Sequence, residues 1–120
     1  MEKTYFMHLH EEPFQLILQK RKTVEMRLNK GERQNIKSGD LIIFSHSLNE
    51  DKIKVKVLKV SRFNSFEELY ENYDQTLLGY KENEIASYKD MNTYYNDEDI
   101  ETFGVLAIEI EFMELLVNYL

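Results

Sequence analysis

Three stretches of this chain alternate apolar and polar residues with a period of two, a pattern that buries every second side chain only when the backbone is a β-strand. Thr23–Leu28 sets Val24, Met26 and Leu28 on one face and Thr23, Glu25 and Arg27 on the other. Lys52–Val57 sets Ile53, Val55 and Val57 against lysines, and the alternation slips at Leu58-Lys59 in the way a β-bulge produces. Gly104–Phe112 buries Leu106, Ile108, Ile110 and Phe112 and turns Glu109 and Glu111 outward or toward a basic neighbour. Thr4–His10, rich in β-formers, and the apolar run Leu41–Phe44 bring the expectation to about five or six short strands.

Helices are fewer. Glu11-Glu12-Pro13 is a first turn, Phe14, Ile17 and Leu18 follow at helical spacing, and Lys20, Arg21 and Lys22 are expected in the last turn, where cations complement the dipole. Ser65-Phe66-Glu67-Glu68 matches a capping box, with Phe66, Leu69, Tyr70 and Tyr73 as its apolar stripe. Asn29-Lys30-Gly31 and Lys37-Ser38-Gly39-Asp40 are turns around a polar connection, and Asn49-Glu50-Asp51 closes a hairpin. Residues 74–103 are acidic and Tyr-rich, with helical turns expected around 83–88, 89–95 and 97–103. The expected fold is α+β, a small mixed barrel with two or more flanking helices, in one domain spanning 1–120. Its apolar tail, 113–120, is expected to dock on the body or to make a homodimer.

Charge and composition exclude several functions. The 120 residues carry a net charge of -7 and no Cys, so thiol nucleophiles, disulfides and thiolate metal sites are out. Residues 1–62 carry +5 and residues 63–120 carry -12. Tight non-specific binding to a long polyanion rests on many phosphate contacts and is a poor fit to that balance. No run approaches the ~20 apolar residues of a membrane span, and the start of the chain lacks a signal-peptide pattern, so a cytoplasmic protein with no membrane partner is expected. Gly-rich phosphate loops, a Gly-x-Ser-x-Gly elbow and zinc signatures are absent, and no cofactor is expected.

The chemistry concentrates between Lys20 and Arg27. On a strand, Glu25 and Arg27 share a face about 7 Å apart at the backbone, with Thr23 beside them and Lys22 at the entrance. A carboxylate between two cations suits a polar, planar ligand: Glu25 accepts from an amine while Arg27 and Lys22 meet carbonyl or phosphate oxygens. The same spacing also describes a plain surface ion pair. Lys52, Lys54, Lys56, Lys59 and Arg62 form a strip free of acids, either a surface that tracks a nucleic-acid backbone or edge protection. His8, His10 and His46 offer imidazoles that nothing in the spacing brings together, and no metal is expected. Tyr70, Tyr73, Tyr80, Tyr88, Tyr94 and Tyr95 are potential stacking platforms, though such rings more often pack with their hydroxyls exposed.

The segment resembles the motif Gly-x-Lys-x-x-Glu-x-Arg of the ASCH domain family, relatives of the PUA RNA-binding domain. Lys20 stands at the Gly position, where any need for φ > 0 carries a steric cost, and Lys22, Glu25 and Arg27 match the other three. Ile36–Phe44, Ser65–Leu69 and Tyr95 through Gly104–Ile108 extend the resemblance over residues 4–112. It implies a PUA-like β-barrel with a cleft lined by the motif, in a family generally proposed to bind RNA or nucleotides; joined to the charge pattern above, the expectation is a cleft that holds RNA, a nucleotide or a modified nucleoside through Lys22, Thr23, Glu25 and Arg27, with Lys54 and Lys56 assisting. Some relatives are small amidohydrolases acting on N4-acetylcytidine through a Lys, a Thr nucleophile and a Glu. Lys22 matches that Lys, but Glu25 occupies the nucleophile's place, and the helix carboxylate falls among Glu67, Glu68 and Glu71. A hydrolase of a small amide or of RNA, using Lys22 and Glu25 with a water, is therefore the alternative. A protein-interaction module acting through the tail is a third reading.

Overall fold

In a computed structural model, which describes residues 1–117, every alternating segment is a strand. The strands are β1 (Thr4–Leu9), β2 (Val24–Leu28), β3 (Leu41–His46), β4 (Lys52–Phe63) and β5 (Val105–Leu116), and they form one sheet in the order β1-β3-β4-β5-β2. Only β1 and β3 pair in parallel; the other neighbours are antiparallel. Around the sheet lie helices α1 (Glu11–Leu18), α2 (Phe66–Glu71) and α3 (Asp97–Phe103), and 3-10 turns at Gly31–Asn35 and Tyr88–Thr93. The expected slip at Leu58 is a register shift between Val57 and Lys59, and a second lies between Lys54 and Val55.

Long β4 and β5 let the sheet curl, and each face collects a core. One core holds Phe14 and Ile17 of α1 against Phe44, Val55 and Ile108; the other holds Phe66 and Leu69 of α2 against Val24, Met26 and Ala107. Residues 105–108 are therefore buried on both faces, which is why alternation fades at the start of β5. Curling brings the two edge strands, β1 and β2, back toward each other in an open half-barrel. Arg27 of β2 spans the seam, its Nη2 donating to the His8 carbonyl of β1 at 2.8 Å.

Several expectations need correction. Lys20, Arg21 and Lys22 are not in the last turn of α1, which stops at Leu18. The helix closes in a Schellman motif: Lys20 N donates to Ile17 O and Arg21 N to Leu16 O, both at 2.9 Å. Lys20 takes the left-handed position with φ of 62°, a conformation costing a non-glycine residue roughly 1–2 kcal/mol. Ser65 Oγ caps α2 by accepting from Glu68 N, as the capping box predicts. Residues 83–87 form no helix, and the 3-10 turn begins only at Tyr88. Residues 113–116 do not leave the body as a tail but continue β5 against the start of β4; Asn118–Leu120 lie outside the described residues.

Candidate functional site

β2 is an edge strand whose polar side faces not solvent but the inside of the half-barrel, on the face that Leu106 and Ile108 of β5 share; the 74–103 excursion packs on its other side, against Val24, Met26 and Leu28. Glu25 is 3% exposed. All the acceptor capacity of its carboxylate is engaged: Oε1 takes Met26 N at 3.0 Å and Lys22 Nζ at 3.1 Å, and Oε2 takes Arg27 Nε at 3.1 Å and Nη2 at 3.0 Å. Burial by itself would raise the Glu25 pKa, but the Lys22 and Arg27 charges and the Met26 amide overcome it and hold the group at about 2. Glu25 is thus a permanent anion that fixes two cations. It has no lone pair free to read an amine, and a carboxylate so far below neutrality is a poor general base.

Both cations keep donors in reserve. Arg27 spends Nε and Nη2 on Glu25 and on the His8 carbonyl, and no described residue partners Nη1. Lys22 spends one of its three N–H bonds. They border a cleft of about 410 Å³ in the seam between β1 and β2, walled also by His8, His10, Arg33, Tyr94 and Tyr95. The charged side chains of this wall are Lys22, Arg27 and Arg33 against Glu25, a local excess of positive charge on an acidic protein. The wall has aromatic surface too: His10 and Tyr94 stack with centroids 6.1 Å apart, and Tyr95 stacks on Phe66 at 5.9 Å. Burial pushes the Tyr95 phenol up although Arg27 pulls the other way, so it remains a neutral hydroxyl.

Lys22, Glu25 and Arg27 therefore come together; the remaining expected residues lie elsewhere. Thr23 lines a separate groove with Ile17, Leu58 and Phe112, and its amide donates to Leu77 O at 3.0 Å. Lys54 and Lys56 do not border the cleft. They lie on β4 directly opposite Glu114 and Glu111 of β5, and Lys59 lies opposite Glu109. Three members of the basic strip thus face acids across the sheet, while Lys52 and Arg62 lie opposite Leu116 and Leu106. His46 is buried away from the cleft, hydrogen-bonded to Glu11 and accepting Leu48 N at 3.0 Å, while His8 and His10 line the cleft. No group of three or more His, Cys, Asp or Glu among the described residues is placed to hold a metal.

Sequence reasoning missed Arg33 and Gly79. Arg33 sits in a polar connection with no periodicity to single it out. Gly79 has φ of +108°, and a Cβ there would stand 3.2 Å from Leu16 Cδ1 and 3.5 Å from Lys22 Cδ. The backbone of Gly79 is thus packed on the Lys22 stem; the only sequence signal for it was a glycine in a segment that otherwise has none.

The ASCH domain family model matches residues 7–114. Two solved structures are similar over nearly the whole chain. The hypothetical protein PH0355 is 31% identical with a TM-score of 0.78, covering 92% of this chain and 100% of that one. Protein PF0455 from Pyrococcus furiosus is 31% identical with a TM-score of 0.69, covering 93% and 99%. The ASCH domain from Lactobacillus crispatus JV V101 shares the fold at 12% identity, with a TM-score of 0.60 over 90% of this chain and 79% of that one. No curated protein matches the chain. No helix among the described residues is long and apolar enough to cross a membrane.

Proposed function

The chain belongs to the ASCH domain family, and on that premise we propose that it is a cytoplasmic binding module holding a nucleotide, a modified nucleoside or the end of a short single-stranded RNA in the cleft between β1 and β2. The observation that carries this reading is the pair of cations, Lys22 and Arg27, anchored by an ionised Glu25 and keeping unspent donors at the cleft wall. Anchoring removes their side-chain freedom before a ligand arrives, which lowers the entropic cost of binding. Arg27 Nη1 and Arg33 suit phosphate or carbonyl oxygens, and Tyr94 and Tyr95 suit the face of a base. The cleft is sized for one nucleotide rather than for a long strand, in keeping with a net charge of -7.

Binding is favoured over hydrolysis by the state of Glu25. With both oxygens occupied and its pKa near 2, Glu25 is badly suited to activate a water beside Lys22. An amide chemical-shift titration with nucleoside monophosphates, N4-acetylcytidine and short single-stranded RNAs tests the proposal. Shifts are expected at Lys22, Arg27, Arg33, Tyr94 and Tyr95 without conversion of the ligand, and Arg33→Ala, which removes no buried ion pair, should weaken binding about tenfold. A panel that leaves the cleft amides unmoved refutes it.

A further inference from the structure

Past Lys22 the cleft continues. A second chamber of about 330 Å³ adjoins it, with Lys22, Met26, Met91 and Tyr94 among the shared walls, and its electrical character is reversed. Its other charged residues are the acids Glu12, Glu84 and Asp90. The phenols at the back keep this character. Tyr80 Oη lies 2.7 Å from Asp90 Oδ2, 2.9 Å from Tyr70 Oη and 3.2 Å from the Ser87 carbonyl. The short, charge-assisted bond to Asp90 claims the Tyr80 proton, so the Tyr70 hydroxyl donates to the Tyr80 oxygen and both protons are spent within the wall. Burial raises both phenol pKa values, so both stay protonated. Carboxylates and phenols together thus face the chamber as acceptors.

Lys22 stands at the junction and is itself unfinished. Its side chain is only 10% exposed, one N–H goes to Glu25 Oε1, and no described residue partners the other two. A half-buried ammonium with unspent donors is placed to meet an acceptor from outside. The groove therefore asks for three things in order: an anion beside Arg27 and Arg33, an acceptor at Lys22, and a donor facing Glu12, Glu84 and Asp90.

Resting on the nucleotide reading above, we propose that the groove selects nucleotides whose base carries an exocyclic amine next to a ring acceptor, with the phosphate in the Arg27–Arg33 chamber and the amine in the acidic one. Cytosine and adenine present that edge. Uracil and hypoxanthine reverse it, setting a ring N–H against Lys22 and a carbonyl against the carboxylates, so both positions lose their partner.

Calorimetric titration of the full chain with cytidine, uridine, adenosine and inosine monophosphates tests the orientation. The amine-bearing member of each pair should bind about tenfold tighter. The double variant Glu12→Gln, Glu84→Gln, at two exposed positions, should reduce that ratio to within about twofold while amide spectra report an intact fold, and Arg33→Ala should weaken all four ligands alike. Equal affinities within each pair, with Arg33→Ala still weakening both, overturn the orientation and leave the nucleotide reading standing. A preference that survives the double variant overturns the acidic chamber as its source. Four ligands that neither bind nor shift the cleft amides overturn both readings.

Discussion

Glu25 is an ionised carboxylate inside a protein core, and its neighbours decide its behaviour. Its pKa of about 2 in the folded chain lies below the ordinary 4.5, so the folded state binds this proton less readily than the unfolded one. The stability it contributes is full above the ordinary value and is lost as pH falls toward 2, on the order of 3 kcal/mol in all. Glu25→Gln should erase that part of the acid-unfolding curve. At neutral pH the same variant should cost about 3–5 kcal/mol, because Lys22 and Arg27 are left buried without their counter-charge. Urea unfolding across pH 2–7 measures both; an unchanged acid slope in the variant would mean that Glu25 does not titrate in this way. Lys20 shows a local choice of another kind, a side chain kept at a left-handed position that glycine would occupy without strain.

At the scale of elements, the strands were readable because alternation is a direct consequence of backbone geometry. β2, β4 with its bulge and most of β5 follow from that pattern, as does the Ser65 cap. Alternation says which residues share a face but not what covers that face, which is why Glu25 reads as a surface residue and is a core one. It likewise places Lys54 and Lys56 outward without revealing that β5 sets Glu114 and Glu111 opposite them. Residues 74–95, which cover the opposite face of β2 at Val24, Met26 and Leu28, are held by the scattered apolar side chains Leu78 and Met91 and by side-chain hydrogen bonds rather than by a periodic pattern, so no repeat announced them. Leu77 O accepts from both Thr23 N and Val24 N at 3.0 Å, serving the free edge of β2 as a neighbouring strand would. Tyr80→Phe removes the bonds to Tyr70 and Asp90 and keeps the ring. A loss of about 1–3 kcal/mol is expected, and hydrogen exchange should accelerate at the Thr23 and Val24 amides while those of β3 and β4 keep their protection. Unchanged exchange at Thr23 and Val24 would separate the tyrosine network from the edge of β2.

For the whole molecule, the distribution of charge matters more than its sum. The chain is +5 over residues 1–62 and -12 over residues 63–120, and the fold interleaves the two halves by laying β5 against β4. In the cleft three cations, Lys22, Arg27 and Arg33, meet a single carboxylate, Glu25. Short single-stranded RNA meeting only these three cations should bind with a log–log salt slope of about -2. Titrations between 50 and 200 mM salt measure it, and a slope steeper than about -4 would put the β4 lysines in contact with the strand.

β2 carries Glu25 and Arg27, with Lys22 just before it, within the first quarter of the chain, yet its partner is β5, with Val24 opposite Glu109 and Leu28 opposite Val105. During synthesis, Lys22, Glu25 and Arg27 emerge from the ribosome early and then wait for some eighty residues before the strand that seats them exists. At roughly 5–20 residues per second that is a delay of about 4–16 seconds, during which β1, β3 and the front of β4 are free to pair. The cleft is therefore complete only when β5 has docked on β2, and a nascent chain offers the proposed ligand no finished site before then.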